Sequence, residues 1–390
     1  MTVLDADDLA AVLRPFGSSR MLPGPAYAAQ PVFAWEQQHL FAGSWVCAGR
    51  SSEVGSPGSQ RAVSAGPLGV LLVRDSAGVL RAFANVCRHR GHELLPAGAA
   101  AERPAVRCPY HAWSYRLDGS LHAAPRLAGA PEDDLALVPL PAVEWHGWTF
   151  VNADGRAPDF ADHVAGLDEI VAPYDPGTLV AAATREYVVG ANWKLIHENY
   201  HECYHCPQIH PELCAVSPPT SGRNFAPGRS WVGGTMELRD GAATMSLDGT
   251  SAGRPLRSLP ESRHREVAYV GLVPDLLLSL HPDYVLSHRL EPVSPTSTRV
   301  VCEWLFEPDV VAAAGFDARY AVEFWDVTNR QDWAACESVQ RGVSSPHYRP
   351  GPLTTVEDAV YHFETMVARA YLAGSVPGDP SVDAGAGRAP

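Results

Sequence analysis

The chain has 390 residues, 46% of them hydrophobic and 19% charged, which suits two or three domains with sizeable cores. A formal net charge of −14 argues against nucleic acid and anionic membranes as partners, since both call for basic patches. The acidic start MTVLDADDLAAVL carries no secretory signal, and no stretch approaches the ~20 apolar residues of a membrane span, so a cytoplasmic location is expected. The eight cysteines are then expected as reduced thiols, and Cys87 and Cys108, each with a His close by, suggest metal binding rather than a disulfide.

Residues 1–40 carry helical patterning with a loop at Pro23-Gly24-Pro25. Over 41–155 the pattern becomes short β-rich runs, among them Val70–Val73, Leu80–Phe83 and Thr149–Val151. Asp118-Gly119, between Trp113-Ser-Tyr115 and Leu121-His122, signals a hairpin. This block is expected to be a small antiparallel β domain. From 156 to 373 the chain is mixed, with strands expected at Leu276–Leu280, Tyr284–His288 and Thr298–Cys302. Helices are expected at about 192–206, 317–341 and 356–372. Residues 374–390 are rich in Gly, Pro, Ala and Asp and are expected to be a disordered tail.

Cys87-Arg-His89 is followed, eighteen residues on, by Cys108-Pro-Tyr-His111. Each half offers one thiolate and one imidazole from a tight loop. A Cys₂His₂ zinc site is an alternative, but zinc fingers run Cys-Cys then His-His. The order Cys-His then Cys-His suits a binuclear cluster with both Cys on one iron and both His on the other. The full segments, Cys87-Arg-His-Arg-Gly91 and Cys108-Pro-Tyr-His-Ala-Trp-Ser-Tyr115, resemble the Rieske ligand loops of the aromatic-ring-hydroxylating oxygenases and their relatives.

A second constellation begins at Asn192-Trp-Lys194. Glu202 and His205 are three apart, which places them on one face of the expected helix, and Pro207 is expected to end that helix and turn the chain so that His210 comes back beside His205. Any one histidine here, including His197, His201 and His281, is more ordinarily a hydrogen-bonded or solvated residue. The spacing of Glu202, His205 and His210 resembles the iron-binding segment of the same family. A facial triad for Fe(II) needs a carboxylate as third ligand. Trp325, Thr328, Asp332, Cys336 and Val339 recur at helical intervals on a mostly apolar face, where a carboxylate such as Asp332 is costly unless paired or metal-bound. A salt bridge to Arg330 or Arg341 is the structural alternative. Asn329-Arg-Gln-Asp332 also resembles the family's third-ligand helix.

The resemblance to the large subunit of Rieske-type non-haem iron oxygenases covers about 35 to 372. It implies an α+β protein: an antiparallel β Rieske domain, and a helix-grip-like catalytic domain whose antiparallel sheet is covered by helices and by the N-terminal segment. It implies one [2Fe–2S] cluster on Cys87, His89, Cys108 and His111, and one mononuclear Fe(II) on His205, His210 and Asp332, per subunit. It further implies a head-to-tail homotrimer, a separate flavin/iron–sulfur NAD(P)H reductase as electron donor, and O₂ and a small molecule as substrates. Glu202, where most members carry Asp, would link His111 of one chain to His205 of its neighbour; a surface helix carboxylate is the plain alternative.

Three stretches look like the quaternary-ammonium branch of glycine betaine, carnitine, choline and proline betaine monooxygenases: Glu202–Glu212, Ser279–Tyr284, and Arg341–Ser345 with Tyr348–Pro352. A trimethylammonium group wants aromatic walls, for which Tyr200, Tyr204, Trp231, Tyr284, Trp325 and Trp333 are candidates. Hydroxylation or O-demethylation of an aromatic acid is the rival within the enzyme class. A Rieske electron carrier without oxygenase activity and a zinc-stabilised binding module are the rivals outside it.

Overall fold

Alternating apolar residues and turn signals along 46–151 build three small antiparallel sheets in a computed structural model that describes residues 3–127, 135–156 and 158–374. The expected tail lies, beyond Gly374, outside the described residues. The chain divides into two compact units, Glu36–Phe160 and the remainder, Met1–Trp35 with Ala161–Pro390.

In the first unit a five-stranded sheet runs in the order Ala100–Glu102, Ser59–Ala65, Leu68–Arg74, Leu80–Ala84 and Pro139–Leu140. Val46–Arg50, Trp148–Val151 and Ala142–Trp145 form a second sheet, and Val106–Arg107, Ser114–Tyr115 and Leu121–Ala123 a third. The hairpin expected at Asp118-Gly119 is present. The Asp118 carboxylate accepts from the Ser120 N–H at 2.9 Å, and Gly119 has φ +89°. A side chain at Gly119 would run into the Phe83 ring, so only glycine closes this turn against the core. Cys87 and Cys108 belong to that core, packed with Leu71, Phe83, Trp113 and Tyr115.

The second unit is built on a seven-stranded antiparallel sheet. Its order is Val180–Val189, Ser297–Phe306, Val285–Ser294, Leu276–Leu280, Glu266–Leu272, Trp231–Glu237 and Arg223–Asn224. The three expected strands are present, two of them longer than their apolar runs. Leu276–Leu280 is buried throughout and sits centrally, as a continuous apolar run should. The helices Trp193–Tyr200, Arg319–Val343 and Asp358–Ala373 pack on this sheet. Among the described residues, no helix is long and apolar enough to cross a membrane.

The edge strand Val180–Val189 delivers the chain to Asn192, whose side chain caps the first of these helices by accepting from the Lys194 N–H at 3.1 Å. The Asn192 N–H donates to Gln340 of the long helix at 2.8 Å, so the start of one helix is tied to the end of another. The buried face of the long helix runs Trp325, Thr328, Asn329, Cys336, Gln340 and Val343. Val339, expected on this face, is exposed; the interval after Cys336 is four residues, which brings Gln340 inward instead.

Beneath these helices lies a buried polar cluster. The Tyr27 hydroxyl is 2.8 Å from Glu198 Oε1 and 2.9 Å from Glu364 Oε1, yet has one proton to give, so one of the two carboxyls carries a proton. Burial pushes both carboxyls up, Glu364 to about 7. The Leu22 N–H also donates to Glu364, at 3.2 Å, and fastens the N-terminal segment to Asp358–Ala373. Below about 4.5 the Glu364 carboxyl is protonated whether folded or unfolded. Between there and about 7 the unfolded chain releases its proton while the folded chain keeps it, so stability falls as the pH rises, and above about 7 the full penalty stands. Glu364→Gln keeps the acceptor for Leu22 and Tyr27 and removes the titration. It is expected to flatten the slope and to stabilise the protein at pH 8 by roughly 1–2 kcal/mol, a few degrees in Tm. Thermal melts from pH 5 to 8 check this, and a slope equal to that of the parent chain refutes it.

Candidate functional site

Two loops of the first unit bring two thiols and two imidazoles together. The Cys87 loop is closed by Gly91 N–H to Cys87 O at 3.0 Å and Cys87 N–H to His92 O at 2.8 Å. The Cys108 loop is closed by Cys108 N–H to Trp113 O at 2.8 Å. Both cysteines are free and buried, whereas His89 and His111 are exposed, with ring centroids 4.7 Å apart. Burial pushes the Cys108 thiol up, the backbone N–H groups of Tyr110 and His111 pull it back, and the Cys87 thiol beside it adds to the rise. The Tyr115 hydroxyl lies 3.4 Å from Cys87 Sγ and accepts the Arg88 N–H at 3.0 Å. Two buried sulfurs with nearby donors and an exposed imidazole pair are a donor set that fits a [2Fe–2S] cluster held by two Cys and two His. Tyr115 was legible only as the end of the loop motif.

The second constellation lies in the second unit. The expected helix over 192–206 ends at Tyr200, where the His201 N–H turns back to His197 O and Glu198 O. Glu202 and His205 therefore do not share a helical face. They meet because the Glu202 carboxylate accepts the backbone N–H groups of Tyr204 and His205 and also contacts His205 Nδ1. Pro207 does not end a helix; it stands in the first turn of a short one, Cys206–Ile209, where its missing N–H costs nothing. The cysteines are not all reduced thiols. Cys203 and Cys206, with Cα atoms 4.9 Å apart across this turn, form a disulfide.

His210 sits between two short helices, Cys206–Ile209 and Pro211–Val216, in a non-helical conformation that aims its ring back at His205. The two Nε2 atoms are 3.2 Å apart. Asp332 Oδ1, from the long helix, is 2.9 Å from His210 Nε2 and 3.4 Å from His205 Nε2. Ligand atoms of the three residues all lie within 4.8 Å of one another and could hold one metal ion. Among the described residues Asp332 pairs with the two histidines and with no arginine; Arg330 pairs with Asp326 at 3.0 Å. Burial alone would raise the Asp332 carboxyl, but His205 and His210 hold it below its usual range. Burial likewise lowers His205, but Asp332 and Glu202 outweigh it and push the imidazole up to about 9. So much anionic character around two imidazoles is a site that wants a cation. His197, by contrast, is a core residue away from this group, its Nε2 2.9 Å from Pro274 O.

These three residues stand at the wall of a cavity of about 500 Å³. Tyr200, Tyr204 and Trp325 line it, as does Tyr269, which sits mid-strand with no local signal in the sequence. Trp231, Tyr284 and Trp333 do not line it. Trp231 donates to Ala165 O at 2.9 Å and Tyr284 to Met245 O at 2.9 Å, both as core residues. The carboxylates that line it are Glu202, Asp332 and Asp358, and among the described residues no lysine or arginine lines the cavity.

Comparison with known proteins converges on one family. A model of the ring hydroxylating alpha subunit catalytic domain matches residues 176–373, and a model of the Rieske [2Fe-2S] domain matches 44–139. The glycine betaine monooxygenase oxygenase subunit of Pseudomonas aeruginosa is 31% identical over 385 residues, spanning 91% of this chain and 90% of its own. The carnitine monooxygenase oxygenase subunit of Escherichia coli is 39% identical over 195 residues, 49% of this chain and 52% of the relative. A solved quaternary ammonium Rieske monooxygenase, whose structure gave insights into carnitine oxidation and inter-subunit electron transfer, superposes with a TM-score of 0.79 at 26% identity. That match covers 94% of this chain and 99% of the other.

Proposed function

This chain belongs to the ring-hydroxylating alpha-subunit family of the Rieske oxygenases, and on that premise we propose that it is the oxygenase component of a monooxygenase acting on a small quaternary ammonium compound. The observation that carries the proposal is the convergence of His205, His210 and Asp332 at a cavity faced by aromatic rings and carboxylates. Cys87 and Cys108 with His89 and His111 would hold a [2Fe–2S] cluster. His205, His210 and Asp332 would hold a ferrous ion, with one of each centre per subunit. When bound, the two centres supply electron storage and O₂ activation.

The protein's own groups prepare that chemistry. Glu202 would hold a proton on His205 Nδ1 and so leave Nε2 as the atom to bind a metal. A quaternary ammonium has no N–H donor, so aromatic faces must hold it, at roughly 0.5–2 kcal/mol per contact. Tyr200, Tyr269 and Trp325 offer such faces, with the exposed Tyr204 at the solvent side. If the substrate is a betaine, its carboxylate meets amides and hydroxyls such as Asn199, Asn224 and Thr355 in place of a cation. In the reaction, one oxygen atom of O₂ enters an N-methyl C–H bond. The other leaves as water, using two electrons from NAD(P)H and two protons. The hydroxymethyl group then departs as formaldehyde and leaves a tertiary amine.

Electrons would come from a separate flavin/iron–sulfur reductase. They would cross between subunits of a head-to-tail trimer, from His111 of one chain through Glu202 and His205 of the next. Inter-subunit electron transfer in the similar solved enzyme supports that route.

Three outcomes are expected. Formaldehyde release coupled to O₂ uptake should occur with glycine betaine, proline betaine, carnitine or choline and not with benzoate or vanillate; turnover of the aromatic acids alone rejects the substrate class. Asp332→Ala should keep the cluster's absorption spectrum and lose the mononuclear iron, about one of three irons per chain, together with all turnover. Glu202→Gln should retain both centres but slow reoxidation of the reduced cluster by roughly 10- to 100-fold in stopped flow; an unchanged rate removes Glu202 from the electron path.

A further inference from the structure

The two histidines of the iron-binding constellation are held from behind by different groups. His205 Nδ1 faces the Glu202 carboxylate directly. His210 Nδ1 lies 2.7 Å from Gln331 Oε1, a neutral amide on the long helix beside Asp332. The Gln331 amide nitrogen in turn lies 3.1 Å from Glu212 Oε2, in the first turn of Pro211–Val216.

The chemistry of these three groups fixes how their hydrogen bonds run. A glutamate carboxylate is ionised at neutral pH and can only accept, and Glu212 Oε2 faces the Gln331 amide. The end of the Gln331 amide facing Glu212 must therefore be the NH₂ group. Its carbonyl oxygen then faces His210 and can also only accept. His210 must therefore carry a proton on Nδ1, so Nε2, the atom 2.9 Å from Asp332 Oδ1 and 3.2 Å from His205 Nε2, is the one left to bind a metal. An amide alone would not fix this, because a half-turn about its last bond presents NH₂ to the imidazole and reverses the tautomer. The carboxylate two bonds away removes that freedom.

We propose that Gln331 and Glu212 are positioning residues that lock His210 in its Nδ1–H tautomer, with Glu212 acting only by fixing which way the Gln331 amide points. The inference rests on the reading of His210 as an iron ligand. It separates Glu212 from the other acidic groups near the cavity: its role is to orient an amide, and its charge acts on that amide rather than on the metal.

The test is a double-mutant cycle read as Fe(II) affinity, by anaerobic titration of protein that keeps its [2Fe–2S] cluster. E212Q frees the amide to turn and should weaken Fe(II) binding roughly 10-fold, and Q331L, which removes the acceptor, by roughly 10- to 100-fold. In the Q331L background, E212Q should change the affinity by less than about twofold, because nothing remains for Glu212 to orient. The exchanged pair E212Q/Q331E puts a carboxylate on His210 and an amide behind it, and should bind at least as tightly as the parent chain. The proposal is overturned if E212Q binds Fe(II) like the parent. It is also overturned if E212Q's loss recurs in full in the Q331L background, which marks a simple charge effect. If the parent chain takes up no mononuclear iron while its cluster is intact, the ligand reading falls and this proposal falls with it.

Discussion

The placement of one carboxylate governs this fold. Asp332 lies beside a buried helix face that carries no other charge, and an anion there is tolerable only with partners of opposite or donating character. Those partners are His205 and His210, more than a hundred residues earlier in the chain. Bringing them to Asp332 requires that the long helix and the histidine segment share a fixed frame. The frame is visible at three points. Asp326 accepts from the Tyr187 hydroxyl at 2.6 Å and pairs with Arg185 at 2.9 Å, which pins the helix to the edge strand Val180–Val189. Cys336 Sγ donates to Leu195 O at 3.6 Å, and Gln340 accepts the Asn192 N–H, which pins it to the helix that leads into His205. His205, His210 and Asp332 thus meet along a helix fastened on both sides of Asp332 by hydrogen bonds to residues 185–195.

What the sequence made legible follows from how local each feature is. The Cys-His loops could be read because each supplies two ligands within a few residues, and both close on their own backbone. Strands such as Leu276–Leu280 could be read because a short apolar run between turns has few other uses. Asp332 stood out as a polar residue at an apolar helical position. The stretch from His201 to Cys206 was misread as helix for a reason that is also local. A spacing of three between Glu202 and His205 fits a helical face, but it fits equally a turn in which the Glu202 carboxylate takes the N–H groups a helix would have used. Periodicity does not distinguish these. Tyr269 and Gln331 were invisible for the opposite reason: their importance comes from partners distant in sequence, a cavity wall for one and His210 with Glu212 for the other.

Electrostatics ties the metal-binding and substrate-binding parts of the second unit together. Two imidazoles are surrounded by Asp332 and Glu202 directly and by Glu212 through Gln331. With no ion among them, the site draws protons, which is why His205 is pushed up so far despite its burial. On the proposed reading a ferrous ion would take the place of those protons beside Asp332, and a quaternary ammonium group would meet Glu202, Asp332 and Asp358 at the cavity wall. An anionic group would find no lysine or arginine among the described lining residues. On that reading the aromatic faces would place the ammonium group, and carboxylates that also bear on the two imidazoles would favour its charge.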